Sequence, residues 1–237
     1  MLLQDIRYAA RSLARNPGFT AVAVLCLAIG IGVNATIFSV VNGVVLRPAP
    51  FPDAEHIVVI DTVNERLGIT EGALSYPDFK DLREQNATLE GIAAFTGRSL
   101  TIADSSSDPE RYWGATISWN LFELLGTPPV LGRAFTPEDD RPGAEPVVML
   151  SHEVWQRRYA GDGGIVGRAI TVNGRPHTVI GVMPPRFAFP ETARLWVPLA
   201  PYGEKLTREQ RSMGAFARLR RGVTSGQAAS DLRGLSQ

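Results

Sequence analysis

Between Asn16 and Leu46 the chain carries no Asp, Glu, Lys or Arg, and from Phe19 to Leu46 it is mostly Ala, Val, Ile, Leu and Gly. A helix rises about 1.5 Å per residue and the hydrocarbon core of a bilayer is about 30 Å thick, so about 20 such residues suffice to cross it. Nothing later competes: after Arg47 the longest stretch free of charge is Tyr112 to Phe122, only 11 residues. A buried helix of a soluble protein rarely stays uncharged for so long. A cleavable signal peptide wants a shorter apolar region and a small-residue cleavage site. A retained anchor is the better account. Arg7, Arg11 and Arg15 precede the run against the single acid Asp5, whereas Arg47 is soon followed by Asp53 and Glu55. The basic end stays in the cytoplasm. The expected topology is a single pass of the cell inner membrane, N-terminus cytoplasmic and C-terminal domain periplasmic.

The flanks and the run have patterns of their own. Leu2, Leu3, Ile6, Ala10 and Leu13 recur at helical spacing beside the basic row Arg7, Arg11 and Arg15. This predicts a cytoplasmic amphipathic segment over residues 1–17, resting on anionic lipid of the inner leaflet. Within the transmembrane helix predicted over 18–46, Ala28, Gly32, Thr36, Ser39 and Gly43 form one stripe of small residues. Such stripes let a second helix approach closely, and Asn34 and Asn42 can add hydrogen bonds between helices. The stripe predicts helix partners that the chain does not supply.

Composition removes several classes. Formal net charge is zero, and 22 Arg and 2 Lys are scattered among 24 acids, so no nucleic-acid partner is expected. The arginines read as solvated surface and local ion pairs. The one cysteine, Cys26, lies in the apolar run, so the outer domain must be held by its core alone.

Beyond the run, Pro48, Pro50 and Pro52 end the helix in a stiff exit. His56 to Thr62 reads as a buried strand. Ser75-Tyr76-Pro77-Asp78 is a helix start. Ala93 to Ala103 and Glu110 to Ser118 are strand-like around the polar turn 104–109, and Trp119 to Leu125 is a short helix stopped by Gly126. Pro146 to Leu150 is a buried strand, followed by a helix capped by Ser151. Asn173-Gly174 between Ala169–Val172 and Thr178–Ile180 is a favoured hairpin sequence. Leu195 to Leu199 and Ala215 to Leu219 add strands. Thr224 and Gln227 form a capping box for a last helix. The pattern is α+β, with strands and short helices interleaved.

No catalytic constellation emerges. A phosphate loop needs glycines before Lys and Ser or Thr, yet Lys80 and Lys205 follow Phe79 and Glu204. His56, His152 and His177 are far apart and show no metal-ligand spacing. Ser151, His152 and Glu153 are adjacent and point in different directions, so they form no relay. Glu138-Asp139-Asp140 lacks the pattern of a calcium loop and reads as a solvated turn. Trp113, Trp119, Trp155 and Trp196 could line a pocket, with core packing the default. Neither catalysis, a metal nor a cofactor is expected.

Taken in order, the motifs resemble a known family. They are Asp5-Ile6-Arg7-Tyr8-Ala9-Ala10-Arg11, Asn16-Pro17-Gly18-Phe19-Thr20, the run Gly30 to Asn42, and Leu46-Arg47-Pro48. Further on come Ser75-Tyr76-Pro77-Asp78-Phe79, Leu131-Gly132-Arg133-Ala134-Phe135, Trp155-Gln156-Arg157-Arg158, Val179-Ile180-Gly181-Val182-Met183-Pro184 and Trp196-Val197-Pro198-Leu199. Together they resemble the N-terminal part of a MacB/FtsX-type ABC-transporter permease, in the subgroup of acidobacterial duplicated orphan permeases. The resemblance implies one N-terminal transmembrane helix followed by a two-lobed mixed α/β periplasmic core domain over 47–237. A membrane-proximal β–α–β-type lobe would comprise 47–95 and 207–237, and an inserted β-rich lobe 96–206.

It implies as partners a separate ABC ATPase subunit, other permease transmembrane helices or a second permease copy, and membrane lipid. ATP-driven motion would pass through the spanning helices to the outer domain, a mechanotransmission that serves export, efflux or periplasmic work. The chain lacks the family's later spanning helices, so the expectation is a truncated permease component. The other reading is a membrane-anchored periplasmic binding or scaffold module without transport activity.

Overall fold

The computed structural model describes residues 15, 17–44, 52–64, 69–104 and 108–235. The chain divides into two compact units, Met1–Ala49 and Pro50–Gln237. In the first, helix α1 spans Pro17–Val44, 28 residues with no acidic residue in its first turn and no basic one in its last. At 1.5 Å per residue it is about 42 Å long. Among the described residues, no helix is long and apolar enough to cross a membrane.

The second unit is built on a nine-stranded sheet. Its strands in chain order begin with β1 (Ile57–Ile60), then the small separate hairpin β2 (Thr62–Asn64) and β3 (Ile69–Gly72). Helix α2 (Tyr76–Gln85) leads to the long β4 (Leu89–Ile102), β5 (Glu110–Ile117), the single turn α3 (Leu121–Leu124) and β6 (Leu131–Gly132). There follow β7 (Val147–Leu150), α4 (His152–Tyr159), β8 (Ala169–Val172), β9 (Arg175–Val182) and β10 (Leu195–Pro198). Helix α5 (Ala200–Gly203), β11 (Gly214–Leu219) and α6 (Ser225–Leu235) complete the chain.

Sequence chemistry explains the boundaries. Ser75 Oγ accepts from Asp78 N at 3.2 Å, and Ser151 Oγ accepts from Val154 N at 3.2 Å, so both serines satisfy first-turn donors of α2 and α4. The α6 capping box is reciprocal: Gln227 N donates to Thr224 Oγ1 at 3.3 Å, while Thr224 N donates to Gln227 Oε1 at 2.9 Å. Asn173 and Gly174 have φ of 49° and 75°, the left-handed pair that a two-residue hairpin between β8 and β9 requires. At Gly132 a Cβ would lie 2.2 Å from the backbone oxygen of Ile180, so only glycine lets β6 approach β9.

The sheet runs β1–β11–β4–β5–β10–β7–β9–β6, with β8 paired to both β9 and β4. Ile102 of β4 pairs with Val172 of β8, so β4, β5, β10, β7, β9 and β8 return on themselves as a ring. All six strands send side chains into one buried cluster, among them Leu100, Tyr112, Leu195, Val148, Val179 and Ile170. That cluster is the ring's interior. The other parity of the same strands, with Ala115, Met149, Ile180 and Trp196, packs outside it against Phe122 and Phe187. The N-terminal half of β4 leaves the ring and pairs with β11, and β11 with β1. There α2 and α6 cover one face through Phe79, Ile92, Ala215 and Ala228. One strand thus belongs to both layers of the unit.

Two expectations are corrected. The strand read as buried, His56 to Thr62, is β1 with Val59 59% exposed. It is an edge, paired to β11 alone, and Val59 is the one of its four apolar side chains that packs on neither core cluster. The hairpin of β2 and β3 was not expected, because its polar, short strands carry no apolar alternation.

Candidate functional site

Of the residues singled out in sequence, Arg7 and Arg11 lie outside the described residues. Arg15 is exposed and helical. Ala28, Gly32, Thr36, Ser39 and Gly43 all fall on α1, where Ala28 and Gly32 are exposed and the side chains of the other three lie outside the described set. A Cβ at Gly32 would meet nothing within 4 Å. His56, His152 and His177 stay apart, and among the described residues no group of His, Cys, Asp and Glu could hold a metal. Glu153 pairs with Arg194 at 2.9 Å while Ser151 caps α4, so the adjacent triad-type residues are each engaged elsewhere.

The acidic run is the main correction. Glu138 is exposed, as a solvated turn requires, but Asp139 is 9% exposed and Asp140 half-buried. Asp139 takes Arg133 in a two-pronged pair and accepts from Thr136 N at 2.8 Å. Burial pushes its carboxyl up, but Arg133 and Thr136 outweigh that and hold it below the usual carboxylate range. Asp140 accepts from Ala200 N at 2.6 Å and Trp119 N at 3.1 Å. Those amides stand just beyond the ends of β10 and β5, parallel neighbours whose chains leave the sheet at one end. Burial raises the Asp140 carboxyl despite these donors. Consecutive acids read as solvated because each alone is costly to bury; here each has dedicated donors, which sequence neighbours do not reveal.

Asp139 therefore makes a signed pH prediction. Its folded value is depressed, so its contribution is full above the ordinary carboxylate range and is lost as pH falls through the folded value. Urea unfolding should show Asp139→Asn less stable than the parent at neutral pH, with the gap closing toward about pH 3. A gap independent of pH would contradict the assignment.

Other polar groups form surface networks. Lys80 and the Tyr76 hydroxyl both reach Glu204, at 3.2 and 3.4 Å, beside an open hollow of about 230 Å³. Burial raises the Tyr76 phenol, and Glu204 adds to it. Arg208 bridges Asp78 and Asp81. Trp113, 41% exposed, donates to Glu191 at 2.7 Å, whereas Trp196 is wholly buried and donates to Phe189 O at 2.8 Å. A larger cleft of about 340 Å³ lies between residues 139–147 and the ends of β9 and β10. Nothing in these groups pairs a nucleophile with a base.

The globular unit is thus an edge-and-ring sheet braced by helices on one side. The family described as the MacB-like periplasmic core domain matches residues 20–235, and the chain belongs to that family. Its fold is shared by the periplasmic region of MacB from Actinobacillus actinomycetemcomitans, at TM-score 0.59 and 18% identity, over 78% of this chain and 86% of that one. A domain of a putative permease from Porphyromonas gingivalis gives 0.59 and 16%, over 78% and 85%. The extracellular domain of the noncanonic ABC-type transporter YknZ from Gram-positive bacteria gives 0.53 and 14%, over 76% and 91%. Comparison with curated proteins finds no match. The family match and the three solved domains agree on one periplasmic-core fold.

Proposed function

We propose that α1 anchors the chain in the cell inner membrane with a cytoplasmic N-terminus, and that the globular unit works outside, driven by a separate ABC ATPase. The observation that carries this reading is one family match, residues 20–235, that takes in most of a 28-residue helix free of charge together with the globular unit after it. The small-residue stripe of α1 supports packing against other permease helices or a second permease copy. Motion of α1 would reach the outer unit through the segment before β1. Force entering at that edge would cross β11 to β4, which runs on into the six-stranded ring. Export or periplasmic work would follow from the ring's displacement.

Ile31 lies at the middle of α1 and is 66% exposed. Ile31→Arg should cost about 2.5–3.5 kcal/mol of insertion free energy, read as loss of the chain from the carbonate-washed membrane fraction. Retention equal to the parent's would contradict spanning by α1. Coupling is tested separately. An ABC ATPase should co-purify with the parent in mild detergent, and its absence would leave an anchored domain without a motor.

A further inference from the structure

The ring of β4, β5, β10, β7, β9 and β8 has an open end. The start of β7, the start of β9 and the end of β10 meet there, since Val147 pairs with Thr178, and Leu195 and Trp196 pair with Leu150 and Met149. The 340 Å³ cleft sits at this mouth. His177 stands two residues before Val179 on β9, so it shares the side of the strand that faces the ring's interior, and it is 7% exposed. Val197, from the interior cluster, and Tyr202, packed against that cluster, complete the inner wall. Mouths of strand barrels are a recurrent place for small ligands, and 340 Å³ is within the range such sites occupy.

The charge at this mouth is unbalanced. Five charged side chains line it beside the neutral His177: Asp139, Glu145, Arg175, Glu204 and Lys205. Asp139 is held by Arg133 and Glu204 by Lys80. Among the described residues no ion pair forms at Arg175, Lys205 or Glu145, which leaves two cations against one acid. A third cation, the guanidinium of Arg98, lies 4.2 Å from the centre of the Tyr202 ring. His177 Nδ1 is 3.0 Å from Arg175 O, which makes Nδ1 the protonated nitrogen and leaves Nε2 as an acceptor. Burial, with the Arg175 charge as a smaller cause, holds the ring neutral by lowering its affinity for a proton.

We infer that the mouth of the ring is a binding site for a small amphipathic organic anion, its apolar body against Val197 and Tyr202 and its acid group between Arg175 and Lys205. An apolar wall with a few convergent polar groups gives such a ligand burial and orientation together. The two cations fix the sign of its charge. The inference is independent of any ATPase coupling, because it rests on the ring alone.

The probe is 4-phenylbutyrate, with the neutral 4-phenylbutanamide as its control for partition into lipid. The full chain in phospholipid nanodiscs carries ring-labelled histidine. There are only three histidines, and the exposed-side pair is assigned through His56→Gln and His152→Gln. The acid should shift the His177 signal saturably within the millimolar range, the amide should not, and Arg175→Ala with Lys205→Ala should weaken binding at least about tenfold. No saturable shift, an equal response to the amide, or undiminished binding in the double variant would each overturn the site. Should the double variant's own spectrum depart from the parent's, the single variants Arg175→Gln and Lys205→Gln carry the same test.

Discussion

Replacing Asp104 by Asn is expected to lower the unfolding free energy of the globular unit by about 3–5 kcal/mol. Asp104 and Arg158 form an ion pair at 2.9 Å whose side chains are only 9% and 2% exposed. The other carboxylate oxygen accepts from the Tyr159 hydroxyl at 2.6 Å, and Arg158 also donates to Asp108 O at 2.9 Å. The cluster ties the turn after β4 to the last turn of α4. Burial raises the Tyr159 phenol, and its bond to Asp104 adds to that, so the tyrosine stays a neutral donor. The amide keeps the shape of the aspartate but removes its charge, leaving a guanidinium in a site that excludes water. Arg157→Met is the control: its pair with Glu110 is 55% and 42% exposed, and such pairs are worth less than about 1 kcal/mol. Equal losses from the two variants in urea unfolding would contradict a buried pair.

Trp196→Ala should be as costly, about 3–5 kcal/mol, for a different reason. Trp196 is fully buried on the outer face of β10. Its ring meets Phe122 edge-on at 5.7 Å and Phe187 at 5.7 Å. The indole N–H also holds Phe189 O, so truncation leaves both a cavity and a carbonyl without its donor. Trp113→Ala removes an indole that is 41% exposed and should cost well under half as much. If Trp113→Ala proved the more damaging change, Trp196 would not be the packed centre of the cluster it forms with Phe122 and Phe187.

Local signals read well in sequence because their causes are local. Ser75, Ser151 and Thr224 act within one turn of themselves, and Asn173-Gly174 sets its own backbone, so each element start was legible. The alternation of Leu195, Trp196 and Val197 between two clusters is equally visible once the strand is recognised. What failed depends on partners distant along the chain. Arg158 read as surface because its acid lies 54 residues earlier. Asp140 read as solvated because one of its donors is the amide of Ala200, 60 residues on. The edge position of β1 follows from sheet order, which no window of sequence contains. The mouth of the ring needs closure of β4 on β8, a pairing of Ile102 with Val172, and so His177 offered nothing but its isolation. The family resemblance supplied the outline of an outer domain. It did not supply the buried pairs that hold it.

The central claim is that the folded body lies on the far side of the membrane from the basic N-terminus. Two reporters fused after Gln237 test it most directly: alkaline phosphatase, active only outside the cytoplasm, and green fluorescent protein exported unfolded, bright only within. The account predicts an active phosphatase and a dark fluorescent fusion in the same cells. A bright fluorescent fusion with an inactive phosphatase would contradict it.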